Sequence, residues 1–293
     1  MYELHPDLFS PLVQKTSPKA IPKVSQSSWA IFFKNPLAIT CLTFLALVIF
    51  VALAGPFFSG HQFDYANLPM KNHPPSWRFW FGSDDLGRDV FTRLCYGARI
   101  SLFIGFTAAL IDLIVGVTWG ATSAFVGGLF DQICMRLCDI FITLPKLLVV
   151  MILTLVLGSG LLPIIISIAL IGWIPMARVV RGEVLAIKQQ DYVLSGIAAG
   201  ASYPRLLFKY LIPNMMSVIT VATTMSIPKA MFLEAFLSFL GIGVQAPHAS
   251  WGTMAHEALS GMLYYPWRLF FPAVLMSLTI ICFNVIGDAL QEA

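Results

Sequence analysis

The sequence predicts an all-α integral membrane protein with about six transmembrane helices, and three observations carry that reading. Hydrophobic residues make up 58% of the 293 and charged residues only 11%, against about 25% charged in ordinary soluble domains. Surface-to-volume scaling leaves a soluble fold no way to hide that much apolar surface. The apolar residues also fall in six runs, each near the ~20 residues that cross a hydrocarbon core at 1.5 Å rise per residue, and most basic residues fall between the runs.

The spans are expected at Leu37–Phe58, Ile100–Ala124, Ile140–Gly158, Leu161–Ala177, Met215–Gly241 and Leu269–Gly287. Residues 1–36 are polar and rich in Pro, Ser and Lys, without the early apolar core of a secretory signal, and are expected to be a cytosolic tail. Only Gly158–Gly160 separates the third run from the fourth, which predicts a tight helical hairpin. The domains expected are the tail, a first transmembrane helix at 37–58, an external segment at 59–98 and a membrane core at 99–293. An even number of spans puts both termini on one side. Lys15, Lys19, Lys23 and Lys34 in the tail, with Arg178, Arg181, Lys188, Arg205 and Lys209 after the fourth run, mark that side as cytoplasmic under the positive-inside rule. Lys71, Arg78, Arg88 and Arg93 in the first loop run against it.

Between the first two runs, Ser83 is placed to cap an interfacial helix whose first turn carries Asp84 and Asp85. Val90, Phe91, Leu94, Cys95 and Ala98 would form its apolar face. Such a helix is either a structural collar or a contact for an external protein.

The loop from Arg178 to Pro213 is too polar to span yet periodic. Val193, Ile197 and Ala201 recur at four-residue spacing, as do Leu194 and Ala198, which predicts a short amphipathic helix. Gly200 suits a left-handed residue ending it, and Ser202 suits the cap of a second helix carrying Leu206, Leu207, Tyr210 and Leu211. Pro213 is expected to stop or bend the chain at the membrane surface. This helix-turn-helix lies on the bilayer or docks into a soluble partner.

Three intramembrane charges are candidates for function: Asp112, Lys229 and Glu234. Asp112 and Lys229 fall at similar depth near the centres of their runs, so they form an ion pair or share one water-filled cavity, or else each faces the path through the membrane separately. Glu234, five residues from Lys229, is turned away from it by about 140°.

Function classes fall away in turn. No Gly-Lys pair occurs, so a P-loop is missing and ATP, if used, is bound by another polypeptide. His5, His61, His73, His248 and His256 lie outside the apolar runs, and Ser159 fits a turn, so no catalytic residue is expected. Cys134 and Cys138 share a helix face but lack a second pair, so Cys41, Cys95, Cys134, Cys138 and Cys282 read as packing residues and no metal or cofactor is expected. The modest net charge of +3 argues against nucleic acid as a partner.

The stretch Tyr192-Val193-Leu194-Ser195-Gly196-Ile197-Ala198-Ala199-Gly200-Ala201-Ser202 resembles the loop by which permease subunits of binding-protein-dependent ABC importers touch their ATPases. In that family a Glu-Ala-Ala triplet stands six residues before a glycine, and the loop ends in a proline. Here Leu194, Ser195 and Gly196 hold the triplet positions, while Gly200 and Pro213 match. Phe81-Gly82-Ser83-Asp84-Asp85-Leu86-Gly87-Arg88-Asp89, Tyr96-Gly97-Ala98-Arg99-Ile100-Ser101-Leu102, Glu234-Ala235-Phe236-Leu237-Ser238-Phe239-Leu240-Gly241 and Ser250-Trp251-Gly252-Thr253-Met254 narrow the resemblance to the C-type subunit of dipeptide and oligopeptide permeases. It implies a bacterial inner-membrane protein that forms half of a translocation path. It also implies three kinds of partner within the lipid bilayer or beside it: a second permease subunit, cytosolic ATPases and an external substrate-binding protein. Relatives of this type also handle nickel, haem or antimicrobial peptides. A proton-coupled secondary transporter using Asp112 and Glu234 is the alternative of another class.

Overall fold

The computed structural model describes residues 32–292; the tail expected at 1–36 lies almost entirely outside them. Apart from an isolated antiparallel bridge between Ser83 and Asp89, the described residues form only helices, turns and loops. In chain order the α-helices of four residues or more are α1 (Pro36–Ser59), α2 (Val90–Val126), α3 (Gly128–Thr143), α4 (Lys146–Leu157), α5 (Leu161–Gly172), α6 (Ile174–Ile187), α7 (Asp191–Ala198), α8 (Tyr203–Leu206), α9 (Met216–Phe239), α10 (Trp251–Ala258) and α11 (Trp267–Glu292). Five stretches are long and apolar enough to cross a membrane: α1, α2, α5 with α6, α9 and α11. The α3–α4 pair supplies a sixth if its two halves count as one span.

Three expectations change in detail. The third run is not one helix: α3 and α4 meet at Leu144–Pro145 with a bend of 87°, since proline disfavours the helical conformation at the residue before it and has no N–H to continue the ladder. Leu144 accordingly sits in extended backbone. The fourth span does not end at Ala177 but runs on to Ile187, so Arg178 and Arg181 belong to a helix rather than a loop. Finally, the interfacial helix capped by Ser83 does not form. One 37-residue helix starts at Val90, and its N-cap is Asp89, which accepts from the Thr92 amide at 2.9 Å. Asp84 instead closes a turn by accepting from the amides of Leu86 and Arg88, both at 2.9 Å, a local side-chain contact that competes with helix initiation.

Close approach between helices fixes their directions. A Cβ on Gly116 would meet Met176, and one on Gly120 would overlap the carbonyl of Ala177, so α6 runs parallel to α2. Small residues at such contacts let backbones meet, which is how helices associate in lipid. Ser101 faces Glu234 while Gly105 faces Met231, which makes α9 antiparallel to α2. Arg99 donates to the Ala52 carbonyl at 2.7 Å, and Gly55 touches Cys95, making α1 antiparallel to α2 as well. Gly287, in the last turns of α11, stands against Met225 in the first half of α9, which makes those two helices antiparallel at this end. The start of α1, the ends of α2 and α6, the helices α7 and α8, the start of α9 and the end of α11 therefore share one end of the bundle.

Candidate functional site

The opposite end is closed by a folded loop, residues 60–89, and by α10. The Ser83 amide donates to the His73 carbonyl at 2.9 Å, and its hydroxyl accepts from the His73 amide at 2.7 Å while donating to the Met70 carbonyl. Arg93 joins this loop to α10: its Nη1 lies 2.5 Å from Asp84 and 2.6 Å from Glu257. Arg88 binds the same two acids at 2.6 and 3.1 Å, and Arg268 reaches Asp85 at 3.2 Å and Asn72 at 3.1 Å. Three arginines thus meet three carboxylates. Burial works against ionisation of Asp84, but the Arg93 and Arg88 charges outweigh it and hold the carboxyl below the usual carboxylate range. Arg88 and Arg93, two of the four residues that ran against the positive-inside count, are buried partners in this network.

At the shared end, α7 and α8 are anchored to the bundle. The Tyr203 hydroxyl and Thr122 lie 2.9 Å apart, and the Tyr203 and Phe125 rings have centroids 4.7 Å apart. Lys188 donates to the Phe125 carbonyl at 2.6 Å, satisfying a carbonyl in the last turn of α2. Arg181 forks onto Asp131 at 2.8 and 2.6 Å, and Arg178 pairs with Asp139, tying α6 to α3.

Within the loop, Gly200 has φ +77. The Ala201 amide reaches the Gly196 carbonyl at 3.0 Å and the Gly200 amide reaches that of Ile197 at 2.9 Å, the paired bonds of a Schellman termination. Val193 and Gly196 are the buried residues of α7, while Ile197, which shares the four-residue apolar pattern with Val193, is exposed with Tyr192 and Leu194. Gly196 is what lets α7 lie on Leu206 and Tyr210. Ser195 turns its hydroxyl back to the Asp191 carbonyl, and Ala198 is exposed. Ser202 occupies the N-cap of α8, but its side chain makes no capping bond. Pro213 does not stop the chain. A π-turn at Leu207–Leu211 precedes it, accommodating a ring that would otherwise clash with the carbonyl four residues back, and the break comes at Met215.

Inside the bundle, Asp112 and Glu234 are buried and Lys229 is exposed on the surface of this chain. Glu234 accepts from Ser238 at 2.7 Å and Ser101 at 3.1 Å. The Asp112 carboxylate rests where a side chain on Gly172 would stand, with Ser226 and Lys146 as neighbours and Lys229 further along its field. Among the described residues Asp112 and Lys229 form no ion pair. Lys146, first residue of α4, went unnoticed in the sequence; a lysine straight after a proline in an apolar run was its signal.

Two cavities meet at Lys229. One, about 350 Å³, runs beside Ser217, Val221, Met225 and Ser226 on α9, with Met176 and Gln291 opposite. The other, about 380 Å³, is lined by Lys146, Pro228, Lys229, Phe232 and Asn284 among others. Together they trace a groove along one face of α9, from the end carrying α7 to the middle of the bundle.

Comparison with known proteins settles what kind of membrane protein this is. A family described as binding-protein-dependent transport system inner membrane component matches residues 114–293, and the N-terminal TM domain of oligopeptide transport permease C matches residues 24–75. The chain belongs to this permease family. It is 48% identical to the oligopeptide transport system permease protein OppC of Bacillus subtilis, over 100% of this chain and 98% of the relative. It is 49% identical to the dipeptide transport system permease protein DppC of the same organism, over 92% and 84%. The glutathione transport system permease protein GsiD of Escherichia coli is 38% identical over 90% and 88%. The resemblance to C-type peptide permease subunits read from the sequence agrees with these matches, and the protein is a multi-pass inner-membrane component.

Proposed function

We propose that this permease is one half of an ATP-driven importer for di- or oligopeptides, paired with a second permease subunit, two cytosolic ATPases and an external binding protein. The observation that carries the reading is the placement of α7. Its Tyr192, Leu194 and Ile197 stay exposed beside Phe208, on a helix pair braced against α2 and α6, at the end where the α9 groove opens. A self-sufficient transporter has no use for such a surface, whereas a partner ATPase that moves it would move the ends of two spans at once.

In this reading both termini and α7 are cytoplasmic, and loop 60–89 with α10 faces outward toward the binding protein. Substrate follows the α9 groove, covered by the second permease subunit. ATP binding draws the ATPases together, α7 acts as the lever, and the spans alternate between inward-open and outward-open states. This chain supplies the surface that moves and half the wall. Cargo is tested by disrupting this gene alone and comparing uptake of a labelled tripeptide, nickel and haem. Loss of tripeptide uptake with the other two retained is the expected result; loss of nickel or haem uptake instead would reassign the cargo.

A further inference from the structure

The bend between α3 and α4 brings Lys146 to the cavity that Lys229 lines from α9. Both residues adjoin prolines, Pro145 and Pro228, where the helical hydrogen-bond pattern is interrupted. The depth is near the middle of the bundle: Lys229 lies at the centre of α9, and Asp112 just past the centre of α2.

Charge does not balance there. The two ammonium groups act on one another and on Asp112. Among the described residues neither lysine makes an ion pair within 4.0 Å, and Asp112 is the one acid placed to answer both. One of its oxygens is itself buried without a hydrogen-bond partner. Glu234 is held by Ser101 and Ser238, and Asp288 lies one turn beyond Asn284, toward the end of α11. Two cations against one carboxylate leave about one positive charge unanswered at a depth where charge is costly. The cavity that receives it also offers the Asn284 amide and the Phe232 ring.

We propose that Lys146 and Lys229 form a carboxylate-binding station in the path, which takes the C-terminal carboxylate of a peptide in transit. The proposal rests on the importer reading above. A peptide carboxylate supplies the missing negative charge and is held by charge-assisted hydrogen bonds from two ammonium donors. Asp112 keeps the station only partly neutralised, so the anion is attracted yet can leave, as passage through a path requires.

The test uses the complete transporter in proteoliposomes, with binding protein preloaded to saturation with either a labelled tripeptide or the same tripeptide amidated at its C-terminus. Transport is read as the ratio of free acid to amide for wild type, K146Q/K229Q and K146R/K229R, with assembly followed by co-purification of the subunits. Loss of paired charge-assisted contacts corresponds to about tenfold or more, so K146Q/K229Q is expected to lower the ratio by at least that factor. The charge-preserving K146R/K229R should hold the ratio near wild type. An unchanged ratio in an assembled K146Q/K229Q complex overturns the station, and is what would follow if the lysines answered an acidic side chain of the second permease subunit. A wild-type complex that carries neither peptide overturns the importer reading and the station with it.

Discussion

Gly120 lies directly against the backbone of Ala177, whose carbonyl occupies the space a side chain at 120 would need. This contact seats α6 on α2, and through α6 it positions Lys188 and the α7–α8 pair. A branched side chain at 120 would have to push the helices apart, and overpacking of this kind costs about 1–3 kcal/mol. Gly120→Val is therefore expected to lower thermal stability in detergent, measured by loss of monodisperse protein on heating. Gly182→Val is the control, because nothing stands within 4 Å of a Cβ at that position.

The Arg93 network offers a second check. Arg93 is only 2% exposed and holds Asp84 and Glu257; without it two acids share Arg88 alone, leaving about one buried negative charge uncompensated, a loss of the kind that costs about 3–5 kcal/mol. Arg93→Met is expected to reduce stability markedly, and much more than Arg78→Met, since among the described residues the exposed Arg78 guanidinium makes only a distant contact with the Phe79 ring. Melting curves of the two variants in detergent check this.

The same network sets a pH dependence. With the Asp84 carboxyl held below its usual range, its contribution is fully present above the unfolded value of about 3.9 and is lost as pH falls through the lowered folded value. Asp84→Asn is therefore expected to destabilise the protein at pH 7 and to shrink the stability lost on acidification toward pH 3. Stability measured from pH 7 to 3 for both forms provides the test, and parallel curves would count against it.

Gly200 separates local strain from docking. A side chain there meets nothing within 4 Å in this chain, but φ +77 costs an ordinary residue about 1–2 kcal/mol. Gly200→Val is expected to insert normally yet lose co-purifying ATPases and transport. Gly200→Asn, which tolerates the left-handed conformation, should retain much of both. Full transport by Gly200→Val would remove this turn from the docking surface.

The spans were legible because length and apolarity alone specify a helix in lipid. The left-handed end at Gly200 was legible because glycine there has a single structural use. What escaped were features that hydropathy does not register. Mean apolarity carries the third run straight across Leu144-Pro145-Lys146, so a hydropathy reading passes over the 87° bend between α3 and α4 although the proline and lysine mark its place. Ser83, Asp84 and Asp85 look like the start of a helix, but Asp84 satisfies the Leu86 and Arg88 amides first and moves the cap to Asp89. The partnership of Arg93 with Glu257 spans 164 residues, a distance over which no local pattern carries information. Nor does apolar periodicity mark Gly196, which has no side chain to count, yet its bare backbone is where α7 rests on Leu206 and Tyr210.

Topology can be read with two added cysteines. Ala66→Cys in the 60–89 loop and Ser202→Cys between α7 and α8 are expected to react with a membrane-impermeant thiol reagent on opposite sides. In intact cells position 66 should label and position 202 should label only after permeabilisation; the reverse pattern would invert the bundle.

The most direct measurement is peptide accumulation by proteoliposomes containing this chain, its second permease subunit, the ATPases and the binding protein, energised either by ATP or by a proton gradient. ATP is expected to drive accumulation, with a proton gradient alone driving none and omission of this chain abolishing uptake. Accumulation on a proton gradient without ATP, or ATP-driven uptake that persists when this chain is left out, would contradict its place as half of the translocation path.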